Sequence, residues 1–389
     1  MRVDKSRWHR DLLGNLCNIK RGGSPRPIQK FLTDAPDGIN WIKIGDAGDS
    51  KFISSCKEKI IPEGVSKSRF VHKGDFLLSN SMSFGRPYIL NVDGCIHDGW
   101  LVLGQPKQFD KSYLYYLLGS APMYEKFAQK AQGAVVNNLN IDRVASVEII
   151  YPPLDIQQAI AAELDAVQAM IDGYKAQIAD LDVLAQSIFL DMFGDPISNP
   201  KGWEKNFMGN LFSIKRGGSP RPIKKYLTTS PDGINWIKIG DTDKSMFISS
   251  CKEKIIPEGK SKSRFVHQGD FLLSNSMSFG KPYILKVDGC IHDGWLVIEQ
   301  SPKFESYVLY FILNSPSLYE VFTNKAKGAV VNNLNIDLVS SVEIPTPPIK
   351  LQQHFATQVE AIEQQKELLR QQLADAENLM AERMQYYFS

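Results

Sequence analysis

The apolar and polar positions of this chain follow one rhythm, then another, and the whole succession occurs twice. In the first rhythm, short β-branched and aromatic runs are punctuated by Gly and Pro. Asn40–Ile44 and Asp75–Ser79 read as strands between Gly-containing turns, Ser112–Gln129 as a helix, and Val147–Ile150 as a last strand closed by Pro152-Pro153. After that Pro-Pro pair the spacing becomes three and four. Ile156, Ile160, Leu164, Val167, Ile171, Tyr174, Ile178, Leu181, Leu184, Ile188 and Met192 form a heptad-like stripe. Asp155 is placed to cap this helix and Gly194-Asp195-Pro196 to stop it. The second stripe follows Pro347-Pro348: Leu351, Phe355, Val359, Ile362, Leu369, Leu373, Ala376, Leu379 and Tyr387, interrupted by Lys366 and Arg383.

The recurrence is a repeat in the strict sense. Ile19 to Ile28 (IKRGGSPRPI) returns unchanged at Ile214 to Ile223, and Gly133 to Asp142 (GAVVNNLNID) at Gly328 to Asp337. The register holds without a gap from Trp8/Trp203 onward. The pattern predicts a mixed α/β fold: a globular domain over 1–153, a long helix over 154–194, a second domain over 195–348 and a second long helix over 349–389. About 39 helical residues span roughly 58 Å, too long a stripe for either small domain to bury alone. The helices should therefore pack on each other. Connectivity makes that pair antiparallel, a coiled-coil spacer with a pseudo-two-fold axis relating the domains.

Composition narrows the class. The chain has 389 residues, 43% hydrophobic and 23% charged, as expected of two soluble globular units. No stretch is long and apolar enough to span a bilayer, and MRVDKSRWHRDLL lacks the apolar middle of a signal peptide, so a cytoplasmic location is expected. Five cysteines without a CxxC spacing predict reduced thiols and no zinc site. The net charge of +2 conceals an alternation. Residues 1–150 carry 21 Lys and Arg against 15 Asp and Glu, while 151–200 carry one against eight. Residues 201–345 carry 19 against 14, and 346–389 four against six. Basic domains suit a polyanion, and acidic helices suit a protein partner.

Catalytic patterns fail one by one. Gly259-Lys260-Ser261 lacks the upstream glycine of a phosphate-binding loop, since Lys254 stands there, and its copy reads Gly64-Val65. Tyr151-Pro152-Pro153-Leu154 lacks the leading Asn or Asp of an amino-methylating tetrapeptide and becomes Thr346-Pro347-Pro348-Ile349. His97-Asp98 and His292-Asp293 have too few companions for a metal site and read better as a hydrogen-bonded turn. No metal, cofactor or catalytic site is expected.

Nucleic-acid contacts are the better reading. Lys20, Arg21, Ser24 and Arg26, with their copies Lys215, Arg216, Ser219 and Arg221, form a basic loop whose glycines would allow close approach to phosphate. Asn80, Ser81, Ser83 and Arg86 (Asn275, Ser276, Ser278 and Lys281) offer short polar groups after a strand. Asn and Arg can read base edges bidentately, while Lys281 in place of Arg86 favours phosphate there. Asn137 and Asn138 (Asn332 and Asn333) could contact bases, or the Asn run could cap the next element. Lys67 and Arg69 (Lys262 and Arg264) add charge. Solvated turns are the competing reading for each loop. Divergence between copies concentrates in 103–132 against 298–327 and in the long helices. Either both copies must bind the same thing, or one was copied over the other.

The order of motifs resembles the specificity subunit of type I restriction-modification systems. Gly38 to Ile42, Ile60 to Gly64 and Gly74-Asp75-Phe76-Leu77-Leu78-Ser79 look like that family's target-recognition domain. Pro152-Pro153-Leu154-Asp155-Ile156-Gln157-Gln158-Ala159-Ile160, and again Pro347 to Phe355, look like the start of its spacer helix. The resemblance implies a non-catalytic subunit that brings two methylation subunits, docked on the spacer, and restriction subunits to double-stranded DNA with a bipartite target. Family members commonly carry two dissimilar recognition domains; here they are nearly alike, so the expected target is an interrupted palindrome. A self-contained methyltransferase or nuclease, or an RNA-binding or structural adaptor, are the rival readings.

Overall fold

The computed structural model describes residues 4–80, 84–104, 108–131, 139–243, 245–275, 280–326 and 333–389. The chain forms two compact units, residues 1–175 with 371–389 and residues 176–370. Each unit thus contains one sheet-rich body and parts of both long helices.

In the first unit, strand Trp100–Gly104 pairs antiparallel with both Asn18–Arg21 and Phe76–Ser79. Pro87–Leu90 and Phe52–Ile53 complete that five-stranded sheet. A second five-stranded sheet runs Leu32–Thr33, Glu58–Ile60, Ile39–Ile42, Gly94–Ile96, Arg69–Val71. Side chains alternate across each strand, and here both faces are buried. Leu77 and Trp100 meet Ile42, Val71 and Ile96 of the other sheet. Phe76, Leu78, Leu101 and Leu103 point oppositely, into a core shared with the helices. This explains why Phe76-Leu77-Leu78 reads as a continuous apolar run.

The expected helix over 112–129 is two helices, Lys111–Gly119 and Ala121–Ala131. Pro122 has no N–H to donate and suits a helix start, so the first helix ends before it and a second begins. The strand expected over 40–44 is Ile39–Ile42, followed by a 3-10 turn at Ile44–Asp46.

The long helices run Leu154–Phe193 and Ile349–Phe388. Asp155 lies inside the first turn instead of capping it. Gly194, with φ of +76°, ends the first helix in the left-handed conformation that glycine adopts without strain. Gln157 is fully buried and fixes the helix start to its domain: its carbonyl accepts from Asp110 N–H at 3.1 Å, and its amide donates to the carbonyls of Gln108 (3.0 Å) and Pro152 (2.8 Å). Gln352 repeats this with Glu305, Lys303 and Pro347. A buried amide satisfied this fully is a specific joint.

Within the first unit the two helix segments run antiparallel: Glu163 meets Tyr387 at 2.6 Å and Lys175 meets Glu377 at 3.1 Å. Val167, Ile171 and Ala376 form their shared apolar seam. Within the second unit Asp182 meets Lys366 at 2.6 Å, and Phe193 packs edge-on to Phe355. The mixed α/β class and the antiparallel pairing are thus both observed inside each unit. No helix among the described residues is long and apolar enough to cross a membrane.

Candidate nucleic-acid interface

The chain leaves one sheet at Ile96 and enters the other at Trp100, so residues 97–99 form the switch between them. The basic loop crosses the same junction. Gly22 N–H donates to the Trp100 carbonyl at 2.9 Å and Gly23 N–H to the Ile96 carbonyl at 3.2 Å, tying the loop to both sheets. A Cβ on Gly22 would lie 2.1 Å from the His97 carbonyl oxygen, and one on Gly217 would lie 2.1 Å from that of His292. The first glycine of each pair is therefore required by the protein's own backbone, whereas the sequence reading assigned it to phosphate approach.

Asp98 organises the loop. Its carboxylate accepts from Ser24 Oγ at 2.7 Å and pairs with Arg26 at 3.4 Å; its carbonyl accepts from Arg21 Nε and Asn80 Nδ2, each at 3.0 Å. Arg69 Nε donates to the Arg21 carbonyl at 2.6 Å. The second copy repeats every contact. Asp293 accepts from Ser219 at 2.7 Å, pairs with Arg221 at 3.2 Å, and holds Arg216 and Asn275 through its carbonyl at 3.2 and 3.0 Å, with Arg264 on the Arg216 carbonyl at 2.6 Å. The Ser24 hydroxyl, foremost, holds the Asp98 carboxyl below its ordinary range, and Ser219 does the same for Asp293. Arg26 and Arg221 remain about four-fifths exposed despite their pairing. The result is a rigid loop that offers guanidinium groups to solvent.

His97 is structural. Its Nδ1 accepts from Gly99 N–H at 2.6 Å, and Nε2 lies 3.3 Å from Ile44 N–H. A neutral ring has one acceptor nitrogen, so the shorter bond identifies Nδ1 as that acceptor. Burial, before any charge, lowers its pKa and keeps it neutral. The described residues contain no cluster that could hold a metal ion. The cysteine thiols are free, and burial pushes Cys17 up to about 12.

The remaining sequence-predicted residues divide. Lys67 sits over the Phe31 ring at 4.7 Å, and Lys262 over Tyr226 at 5.1 Å. Lys20 is exposed, whereas Lys215 is ion-paired with Glu299, a carboxylate absent from the first copy, where Gly104 stands. Asn80 and Asn275 are only 2% exposed, so their side chains hold the Asp98 and Asp293 turns instead of facing outward as base readers would. Arg86 and Lys281 are exposed but are not among the groups around the aspartates; Arg86 lines a hollow with Asp49, Tyr115 and Gln168. Ser81, Ser83, Asn137, Asn138, Ser276, Ser278 and Asn332 lie outside the described residues. Asn333 is half-buried. Asn140 caps the helix Ile141–Ala145, accepting from Arg143 N–H at 2.9 Å. The sequence reading of His97-Asp98 and His292-Asp293 as a hydrogen-bonded turn holds, but it did not connect that turn to Arg21, Ser24 and Arg26 of the basic loop.

A profile of the type I restriction modification DNA specificity domain matches residues 5–181 and again 200–378. The chain belongs to that family. Among similar specificity subunits are that of the EcoBI type I restriction enzyme of Escherichia coli, 22% identical over 91% of this chain and 79% of that protein, and that of the MjaIX enzyme of Methanocaldococcus jannaschii, 24% identical over 87% and 83%. The crystal structure of the specificity subunit from M. genitalium has the same fold, with a TM-score of 0.59 at 15% identity, covering 100% of this chain and 98% of that one. Two copies of one family domain on one chain account for the repeated aspartate-centred loops. Specificity subunits are non-catalytic, and the residues gathered around Asp98 are of the kind that bind.

Proposed function

We propose that this chain is the sequence-recognition subunit of a type I restriction-modification complex, acting in the cytoplasm. Residues 1–153 and 195–348 would each engage one half of a bipartite duplex target; the helices over 154–194 and 349–389 would set the spacing and dock two methylation subunits, with restriction subunits joining them. Methyl-transfer and cleavage chemistry would belong to those partners.

The observation that carries this reading is the exposed basic loop built twice around an aspartate with the same residues and contacts. Arg21, Arg26, Lys67, Arg69, Arg216, Arg221, Lys262 and Arg264 are assigned to phosphates, which position a protein on DNA and make binding salt-dependent. Arg86 and Lys281 are assigned to phosphate as well, since the lysine keeps the charge without the planar fork, and Ser81, Ser83, Asn137, Asn138 and their copies are assigned to the groove. Asn80 and Asn275 hold the loop behind them. Because the two surfaces share their residues, the target is an interrupted palindrome.

Mapping methylated bases in the genome of a host co-expressing the cognate methylation subunit tests this. One short sequence and its reverse complement, at fixed separation, is the expected result. Two unrelated half-sites would overturn the palindrome, and absence of chain-dependent methylation would overturn the recognition role.

A further inference from the structure

The two units agree around the aspartates but not on the rim beside them. The rim consists of two short 3-10 turns, Ile28–Lys30 and Pro62–Lys67 in the first unit, Ile223–Lys225 and Pro257–Lys262 in the second. Both adjoin the basic loop. The first continues directly from Arg26-Pro27 or Arg221-Pro222. The second abuts the loop's second glycine: a Cβ on Gly23 would lie 3.2 Å from the Lys67 carbonyl oxygen, and one on Gly218 would lie 3.4 Å from that of Lys262. The turns also hold each other, since Ile256 N–H donates to the Tyr226 carbonyl at 2.8 Å and Lys262 Nζ to the Tyr226 hydroxyl at 2.5 Å.

Across residues 28–34 and 62–67 the first unit has two lysines, Lys30 and Lys67, against two acids, Asp34 and Glu63. The equivalent stretches of the second have four, Lys224, Lys225, Lys260 and Lys262, against Glu258 alone. Lys224 replaces Gln29, Lys260 replaces Val65, and Thr229 replaces Asp34. All four lysines are exposed. Two are steered by rings of the same unit, with Lys260 3.9 Å from the centre of Phe265 and Lys262 5.1 Å from that of Tyr226. Glu299 offsets part of the gain by pairing with Lys215, but that lysine lies on the strand before the loop, not on the rim.

We infer that these rims extend the phosphate contacts, and that the second unit grips the DNA backbone more strongly than the first while reading the same bases. This rests on the DNA reading of the loop. Each phosphate neutralised adds about 0.9 to the slope of log affinity against log salt. The test measures binding of the full chain to a mixed-sequence duplex by fluorescence anisotropy across a salt series. Parent chain is compared with Lys224→Gln plus Lys260→Val, and with the reverse swap Gln29→Lys plus Val65→Lys. Each swap installs residues that the same backbone already carries in the other unit, so folding is retained, and thermal melts verify it. The first pair should flatten the slope by roughly 1–2 and the second should steepen it by a similar amount. Slopes that fail to move in these opposite directions overturn the inference and leave the DNA reading standing. A parent chain with no salt-dependent duplex binding overturns both.

Discussion

Tyr387, fully buried in the second long helix, donates its hydroxyl hydrogen to Glu163 of the first at 2.6 Å, while Arg383 Nε approaches the other oxygen of that carboxylate at 3.1 Å. The corresponding positions of the second unit hold Met192, Gln358 and Ile188, so the two helix junctions are held by different chemistry. Arg383 appears in the sequence as a break in the apolar stripe. In the structure it completes this polar clasp.

The clasp predicts acid sensitivity. The Tyr387 hydroxyl, above all, holds the Glu163 carboxyl below its ordinary range, so its contribution is present above the unfolded carboxylate pKa and lost as pH falls through the lower folded value. Tyr387 itself is pushed up to about 12, chiefly by burial, so its own contribution survives until strongly alkaline pH. Tyr387→Phe should cost about 1.5–3 kcal/mol near neutral pH, as for a hydrogen bond to a charged group, and the cost should shrink below pH 4. Urea unfolding at several pH values measures this; a pH-independent difference would remove Glu163 as the cause.

In the second unit Lys366 is 4% exposed and bonded to Glu363 at 2.5 Å and Asp182 at 2.6 Å, where the first unit's seam has Ile171. Breaking a buried ion pair from one side leaves an uncompensated charge, whereas replacing both partners does not. Glu363→Gln leaves Lys366 with Asp182 as partner and should cost about 1.5–3 kcal/mol, as for one lost hydrogen bond to a charged group. The double change Glu363→Gln with Lys366→Ile, which copies Gln168 and Ile171, should be neutral or stabilising. Thermal melts of single and double variants decide, and additive losses would contradict the pairing.

Gly22→Ala should destabilise the first unit by about 1–3 kcal/mol or more, because its Cβ would meet the His97 carbonyl oxygen at 2.1 Å and that backbone is held in the sheet switch. Gly217→Ala should do the same to the second unit. Gly45→Ala, with nothing within 4 Å of its Cβ, is the control. Hydrogen exchange should show the opening near residues 96–100; equal effects of all three would refute the steric cause.

Asp98→Asn keeps an acceptor for Ser24 but removes the charge that faces Arg26. The expected outcome in the methylation assay is at least a tenfold loss at the target, while the salt slope of duplex binding does not fall, because Arg26 is released and not removed. A reduced slope with unchanged methylation would show that Asp98 does not orient the loop.

Much of the fold was legible in one dimension because it depends on local periodicity. The spacing changed from strand-like to three-and-four at Pro152-Pro153 and Pro347-Pro348, and long helices begin at Leu154 and Ile349. The site was legible only by residue type. Basic and amide residues marked Arg21, Arg26 and Asn80, but nothing along the chain says that residues 21, 26, 69, 80 and 98 meet. Asp98 lies more than seventy positions from Ser24, and it is the sheet switch that brings them together. Asn80, just past the strand Phe76–Ser79, was read as a candidate base contact, yet its amide is turned to the Asp98 carbonyl, a partner set by the sheet switch and not by the strand.

The sequence by itself determined the two-copy organisation, the long helices and the family, since repeats, periodicity and motif order are properties of order along the chain. Only the tertiary structure decided which charges are offered and which are used internally. An aspartate that neutralises and aims one arginine, a glutamate that occupies Lys215 and a carboxylate clasped by Tyr387 depend on distances of three or four ångströms, and those arise only when sheets and helices pack.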